Sequence, residues 1–256
     1  MLKITSPYDL SLIKEIPLVG KEKVEKALST AYALFENQSN WIAPHERIAI
    51  LGRVATIMQS RIEELTKTAA QEGGKPLVDS KIEVLRAING VQMAAEHIGQ
   101  LKGEQIPMAL TKSSENRLAF TTREPIGVVS SISAFNHPLN LIVHQVITAV
   151  AAGCPVIVKP ALTTPLSCLL LVDILKEAGL PEGWCQAIVC ENEAAELLVT
   201  DRRINYFSFI GSSKVGWYLK SKLAPGTRCA LEHGGSAPVI VEPDADIIEL
   251  LPSLLK

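Results

Sequence analysis

The chain has 256 residues, 47% of them apolar and 20% charged, with a formal net charge of −2. That composition suits one large or two modest soluble domains, and so balanced a charge gathers neither nucleic acid nor an anionic membrane surface. The five cysteines, Cys154, Cys168, Cys185, Cys190 and Cys229, are odd in number and lack C-x-x-C spacing, which predicts reduced, buried thiols and a cytoplasmic protein. No basic-then-apolar leader opens the chain, and no window holds the ~18 apolar residues of a membrane span.

Apolar residues recur at three and four from Val24 to Phe35, and again from Ile48 through Leu51, Val54, Met58, Ile62, Leu65 and Ala69, predicting two amphipathic helices. Pro44 suits the first turn of the second helix, Gly73-Gly74 end it, and Pro76 opens a third that runs to about Gly99. Residues 1–100 are thus expected to be helical. Leu101–Pro107 and Arg117–Arg123 read as extended stretches around the polar Thr111–Asn116, a hairpin arm over 101–124.

From 125 to 235 five apolar runs, Ile126–Ile132, Pro155–Lys159, Cys185–Val189, Tyr206–Ile210 and Arg228–Leu231, alternate with helical segments. That order predicts an α/β domain with a doubly wound, parallel, Rossmann-like sheet. Residues 236–256 begin another unit, with a helix over Pro243–Lys256, and the chain is expected to be cut within that domain.

Four segments at predicted strand ends carry chemistry, because ligands of open α/β sheets gather there. Asn136, in Ser133-Ala134-Phe135-Asn136-His137-Pro138, can donate its side-chain amide to an oxyanion or simply cap the next helix. Lys159 ends the run PVIVK, either facing a dinucleotide or lying solvated. Phe209–Gly216 runs from a strand through Gly211-Ser212 into a helix whose free N–H groups suit a pyrophosphate. Glu232, in Leu231-Glu232-His233-Gly234-Gly235, is either a general base or an ordinary glutamate before a turn. His137 and His144, seven apart, lack a third ligand, so no metal is expected, and His233 is given no role.

In this order and spacing, F-N-x-P, K-P, F-x-G-S-x-x-V-G and L-E-x-G-G resemble the aldehyde dehydrogenase superfamily, as do Gly73-Gly74-Lys75-Pro76 and the Leu101–Arg123 arm. The resemblance implies NAD or NADP as cofactor, an aldehyde as substrate, and a homo-oligomer in the full-length form. It implies that Asn136 donates to the oxyanion and that Glu232 activates the cysteine or the deacylating water. Lys159 would contact the adenosine ribose and Ser212 the pyrophosphate. Ser133, Phe135, Leu162, Gly211, Val215 and Gly234 would complete the dinucleotide contacts.

The family's nucleophilic cysteine lies further along than the 24 residues that follow Glu232 here. Cys229 sits before Glu232 on a predicted strand and reads as a core residue. Leu162 stands where many NAD-using members have a glutamate, so NADP should be tolerated about as well as NAD. Glu191-Asn192-Glu193-Ala194-Ala195 replaces the usual glycines beside the adenine, bringing charge and bulk there. The alternatives are an acyl-thioester reductase relative, which Glu232 argues against, and a non-catalytic nucleotide-binding or assembly module.

Overall fold

The structure, a computed structural model, describes residues 1–254, and among them no helix is long and apolar enough to cross a membrane. The chain opens on a hairpin rather than a helix. Strands β1 (Leu2–Thr5) and β2 (Leu12–Ile16) pair antiparallel. Their turn is tied by Asp9 Oδ1, which accepts from the Ser11 amide at 3.1 Å and the Ser11 hydroxyl at 2.7 Å. The alternation that carries this is short: only Ile4 and Ile16 are fully buried, packing on Val189, with Leu2 and Ile13 partly buried against them.

Helices α1 (Lys21–Glu36), α2 (Pro44–Ser60), α3 (Ile62–Gly73) and α4 (Leu77–His97) follow. The single helix expected over Ile48–Ala69 breaks at Arg61. Glu63 and Glu64 in the first turn of α3 complement the positive end of a new helix dipole, a start signal that the unbroken apolar period conceals. Gly74 closes α3 in the left-handed region, at φ 64°, where a side chain would be strained.

The arm is present as a minimal antiparallel pair, β3 (Gln105–Ile106) with β4 (Ala119–Phe120), and it leaves Leu110, Leu118 and Phe120 exposed. Strands β5 (Val128–Ile132), β6 (Val156–Lys159), β7 (Cys185–Ala187), β8 (Ile204–Gly211) and β9 (Arg228–His233) form one parallel sheet in the order β7-β6-β5-β8-β9. Such an order needs crossovers, and helices supply them. After β5 come α5 (Asn140–Ile142), a π-helical stretch (Val143–Ile147) and α6 (Thr148–Ala151). Then α7 (Leu166–Glu177), α8 (Asn192–Ala195), α9 (Leu197–Thr200) and α10 (Ser213–Lys220) fill the remaining gaps, and α11 (Ile247–Leu254) ends the described chain. The last residues of the expected Pro243–Lys256 helix lie outside the described residues.

One apolar cluster joins Leu51, Val54 and Met58 of α2 and Val84, Ile88 and Val91 of α4 to Val129, Val156 and Val158 of the sheet. Each fully buried aliphatic side chain of this set contributes about 1.5–3 kcal/mol. The helices and the sheet therefore share a core. A buried carboxylate adds to the join: Glu72 of α3 accepts from the amides of Leu166 at 2.6 Å and Ser167 at 2.8 Å, and from the Ser167 hydroxyl. It caps α7 from another helix, satisfying donors that α7 cannot satisfy itself.

Candidate active site

Side chains alternate along β8 and β9, and the register Phe207↔Cys229, Ser208↔Ala230, Phe209↔Leu231, Ile210↔Glu232 sorts them into two sets. Phe207, Phe209, Cys229 and Leu231 pack with Val199 of α9 and Leu219 of α10. Tyr206, Ser208, Ala230 and Glu232 face the other way, towards Gln145 and His144. The site residues expected around one crevice lie along one sheet edge but on its two faces.

On the first face a cavity of about 390 Å³ is bounded by Ile132, Lys159, Asn192, Glu193, Glu196, Val215, Tyr218 and Lys222. Lys159 ends β6 and is buried, and burial pulls its ammonium below the ordinary lysine range while Cys190 and Glu191 hold it up. Beside it Ser133 is buried with no partner for its hydroxyl among the described residues. Ser212 caps α10, its hydroxyl accepting from the Val215 amide at 3.4 Å, so the first amides of the helix remain open. Of the glutamates expected beside the adenine, Glu193 lines the cavity, joined by Glu196, whereas Glu191 stands at the head of α8.

Gly234 donates to the Gly211 carbonyl at 2.8 Å and ties the turn after β9 to the end of β8. His233, which the sequence left without a role, is wedged between Phe209 and Trp217, with centroid distances of 6.5 and 5.3 Å. Its ring occupies the space that a side chain at residue 216 would need, which is why glycine stands there. Leu162 departs from expectation. It packs against the β1–β2 hairpin beside Ile4, Ile16 and Val189, and lines a small cleft with Leu2 and Thr5 rather than the Lys159 cavity. An apolar side chain three residues past β6 finds its burial under the hairpin that the helical reading of the N-terminus omitted.

The second face has a more open cavity of about 360 Å³ bounded by Gln145, Ser208, Ala230 and Glu232. The Glu232 side chain is exposed and makes no hydrogen bond or ion pair with the described residues. Gln145, buried in the π-helical stretch, donates to the Ile132 carbonyl at 3.3 Å and the Ser208 hydroxyl at 3.0 Å, pinning the helix to the end of β5 and the middle of β8. Phe135 and Asn136 are exposed on the loop from β5 into that helix. Asn136 does not cap it: the amides of Leu139 and Asn140 are both taken by Glu83 of α4.

No thiol of the five stands with Glu232. Cys229 faces the apolar side of β9. Cys154 borders the second cavity but precedes β6, about six residues of strand from the level of Glu232, or roughly 20 Å at ~3.3 Å per residue. Cys190 lies near Lys159 just past β7, four strands from β9, or roughly 19 Å at ~4.8 Å per strand. Burial raises the Cys154, Cys168 and Cys190 thiols and pushes Cys185 up to about 12, so they are poor nucleophiles.

A profile of the aldehyde dehydrogenase family matches residues 1–256. The chain belongs to that family. It is 37% identical over 247 residues to a 3-sulfolactaldehyde dehydrogenase of Priestia aryabhattai, an alignment covering 96% of this chain and 51% of the relative. It is 35% identical over 260 residues to a lactaldehyde dehydrogenase of Methanocaldococcus jannaschii, covering 100% and 54%. Among solved structures, aldehyde dehydrogenase 21 of Physcomitrella patens, in complex with its reaction product succinate, superposes with a TM-score of 0.88 at 34% identity over 93% of this chain and 49% of the other. The glyceraldehyde-3-phosphate dehydrogenase GapN of Methanocaldococcus jannaschii, complexed with NADP, gives 0.85 at 34% over 92% and 51%. This aldehyde dehydrogenase chain thus spans about half the length of the relatives it matches.

Proposed function

We propose that this chain is the dinucleotide-binding portion of an NAD(P)-dependent aldehyde dehydrogenase that oxidises an aldehyde to a carboxylic acid in its full-length form. The observation that carries the reading is the placement of the buried Lys159 in a cavity walled by α10 at the carboxyl end of a parallel sheet, with the first amides of α10 open nearby. A buried ammonium, an unpaired buried hydroxyl and free helix amides are what a ribose and pyrophosphate require, and 390 Å³ lies within the range of small-molecule sites. Lys159 takes the adenosine ribose and Ser212 the pyrophosphate, with Phe135, Gly211, Val215 and Gly234 around the chain of the dinucleotide. When bound, the dinucleotide accepts the hydride.

Across the sheet, Asn136 offers its amide to the oxygen of the reacting carbonyl, and Glu232 accepts a proton from the attacking group. The covalent step of this family needs a thiolate, and none of the five thiols lies within reach of Glu232. The chain as it stands therefore binds dinucleotide without turning over aldehyde. Its arm, with Leu110, Leu118 and Phe120 exposed, is the surface through which the full-length form would assemble with further copies.

Calorimetry on this chain tests the reading. NADP and NAD are expected to differ by less than about a hundredfold, ~2.7 kcal/mol, because the cavity sets the ammonium groups of Lys159 and Lys222 against the carboxylates of Glu193 and Glu196. Lys159→Met should weaken NADP by about tenfold, while Glu232→Gln changes it by less than about twofold. NADP binding indifferent to Lys159→Met would overturn the assignment of the cavity.

A further inference from the structure

Glu83 is the odd residue of α4. The buried stripe of this helix runs Ser80, Glu83, Val84, Ala87, Ile88, Val91, Ala95, and a carboxylate in such a stripe is costly unless it is fully partnered. Its side chain has no exposed surface, and it is partnered at both oxygens. Oε1 accepts from the Leu139 amide at 2.9 Å and the Asn140 amide at 3.1 Å. Oε2 accepts from Lys75 Nζ at 2.7 Å.

Lys75 Nζ also stands 3.0 Å from His137 Nδ1. An ammonium can only donate, so Nδ1 accepts and the ring proton lies on Nε2. The 3.5 Å approach of Nδ1 to Glu83 is then a contact of two acceptors bridged by the same ammonium.

We propose that Glu83 is a positioning residue of this site: with Lys75 and His137 it caps the helix after β5 from outside, fixing the Ser133–His137 loop and leaving the Asn136 amide free. At its other end the same loop is already held, since the Ser133 amide donates to the Lys159 carbonyl at 3.0 Å. An asparagine just before a helix ordinarily spends its side chain on the helix amides. Here a carboxylate from the N-terminal helices takes those amides, and Asn136 stays exposed with no hydrogen-bond partner among the described residues.

Glu72 caps α7 in the same way, but the start of α7 also touches the loop, since the Thr164 hydroxyl donates to the Phe135 carbonyl at 3.4 Å. The internal control is therefore α9, whose Thr200 and Asp201 amides are paired within their own helix. The inference rests on the reading of that loop as a wall of the dinucleotide site. The two can fail separately.

The experiment is residue-resolved amide hydrogen exchange on this chain, paired with NADP calorimetry. In Glu83→Ala, protection of the Leu139 and Asn140 amides should fall by about tenfold or more and NADP should bind at least about threefold more weakly, with the Thr200 and Asp201 amides of α9 unchanged. The double variant Lys75→Met with Glu83→Gln keeps an acceptor for both amides and gives His137 Nδ1 a new donor. It should hold protection and NADP affinity within about twofold of the parent, and it serves as the test if Glu83→Ala does not fold. Unchanged protection at Leu139 and Asn140 in Glu83→Ala, or loss of protection in the double variant, would overturn the role. So would lost protection with NADP affinity intact while Ser133→Ala still weakens NADP. If Ser133→Ala has no effect either, the reading of the loop as a cofactor contact fails, and exchange at Leu139 and Asn140 still decides whether Glu83 fixes the loop.

Discussion

On the face towards which Phe207, Phe209, Cys229 and Leu231 point, the strand ends are roofed by α9 and α10, and the pocket there is narrow and charged at its rim. On the opposite face Ser208, Ala230 and Glu232 look into a shallower cavity bordered by the helix of residues 140–151. The roofed face presents groups already fixed by packing: a buried Lys159, a capped α10, a turn held by Gly234. The open face leaves Glu232 exposed, and Asn136 is exposed on the loop after β5. One face thus holds its polar groups by packing, whereas the other leaves the Glu232 side chain without a partner among the described residues.

The strongest way to break that contrast is to look for turnover. With NADP or NAD and several aldehydes, absorbance of the reduced cofactor should stay at background, because removing a covalent nucleophile costs on the order of a millionfold. Turnover that Cys229→Ala or Cys154→Ala abolishes would place the nucleophile within this chain and dissolve the distinction between the faces.

A smaller effect sharpens it. Gly216→Ala on the roofed face drives a methyl into the His233 ring, an overpacking of about 1–3 kcal/mol offset by about 1 kcal/mol of helix propensity. Urea denaturation should find the variant about 1 kcal/mol less stable. In a His233→Ala background most of that loss should disappear, since only the Phe209 ring, 3.0 Å from the added methyl, still opposes the propensity gain. His144→Ala, on the open face, should stay within about 0.5 kcal/mol of the parent. Equal tolerance on both faces would remove the claim that one is packed and the other open.

The smallest effect contrasts a buried capping carboxylate with the exposed Glu232. Burial raises the Glu72 carboxyl above the ordinary glutamate range, against the hydrogen bonds from Ser167 and Leu166 that lower it. The folded state therefore keeps this proton to higher pH than the unfolded chain does. The contribution of Glu72 is full below the unfolded value of about 4.3 and is lost as pH rises through the folded one. Melting the parent beside Glu72→Gln from about pH 4 to about pH 7 should show the parent losing ground as pH rises; a parent that gains ground would reverse the assigned cause.

Much of this was legible in order and period. All five sheet strands fall on the apolar runs read from the sequence, because buried parallel strands need continuous Val, Ile and Phe on both faces. Lys159, Gly211 and Glu232 fall at the strand ends where the motifs placed them. The hairpin of residues 2–16 was missed since only Ile4 and Ile16 are fully buried in it, and the break at Arg61 was hidden under an unbroken helical period.

What the sequence by itself determined was therefore everything that depends on neighbours along the chain: helix and strand period, the helix end at Gly73-Gly74, and the motif residues at the strands' carboxyl ends. What only the tertiary structure decided was how those ends share two faces, that Leu162 belongs to a hairpin and not to the cavity, and that His233 stands over Gly216. Above all it decided that Glu83, 56 positions from Leu139, caps the helix behind Asn136. A hydrogen bond between residues so far apart leaves no local period, since its geometry exists only once α4 and the sheet have packed into one core.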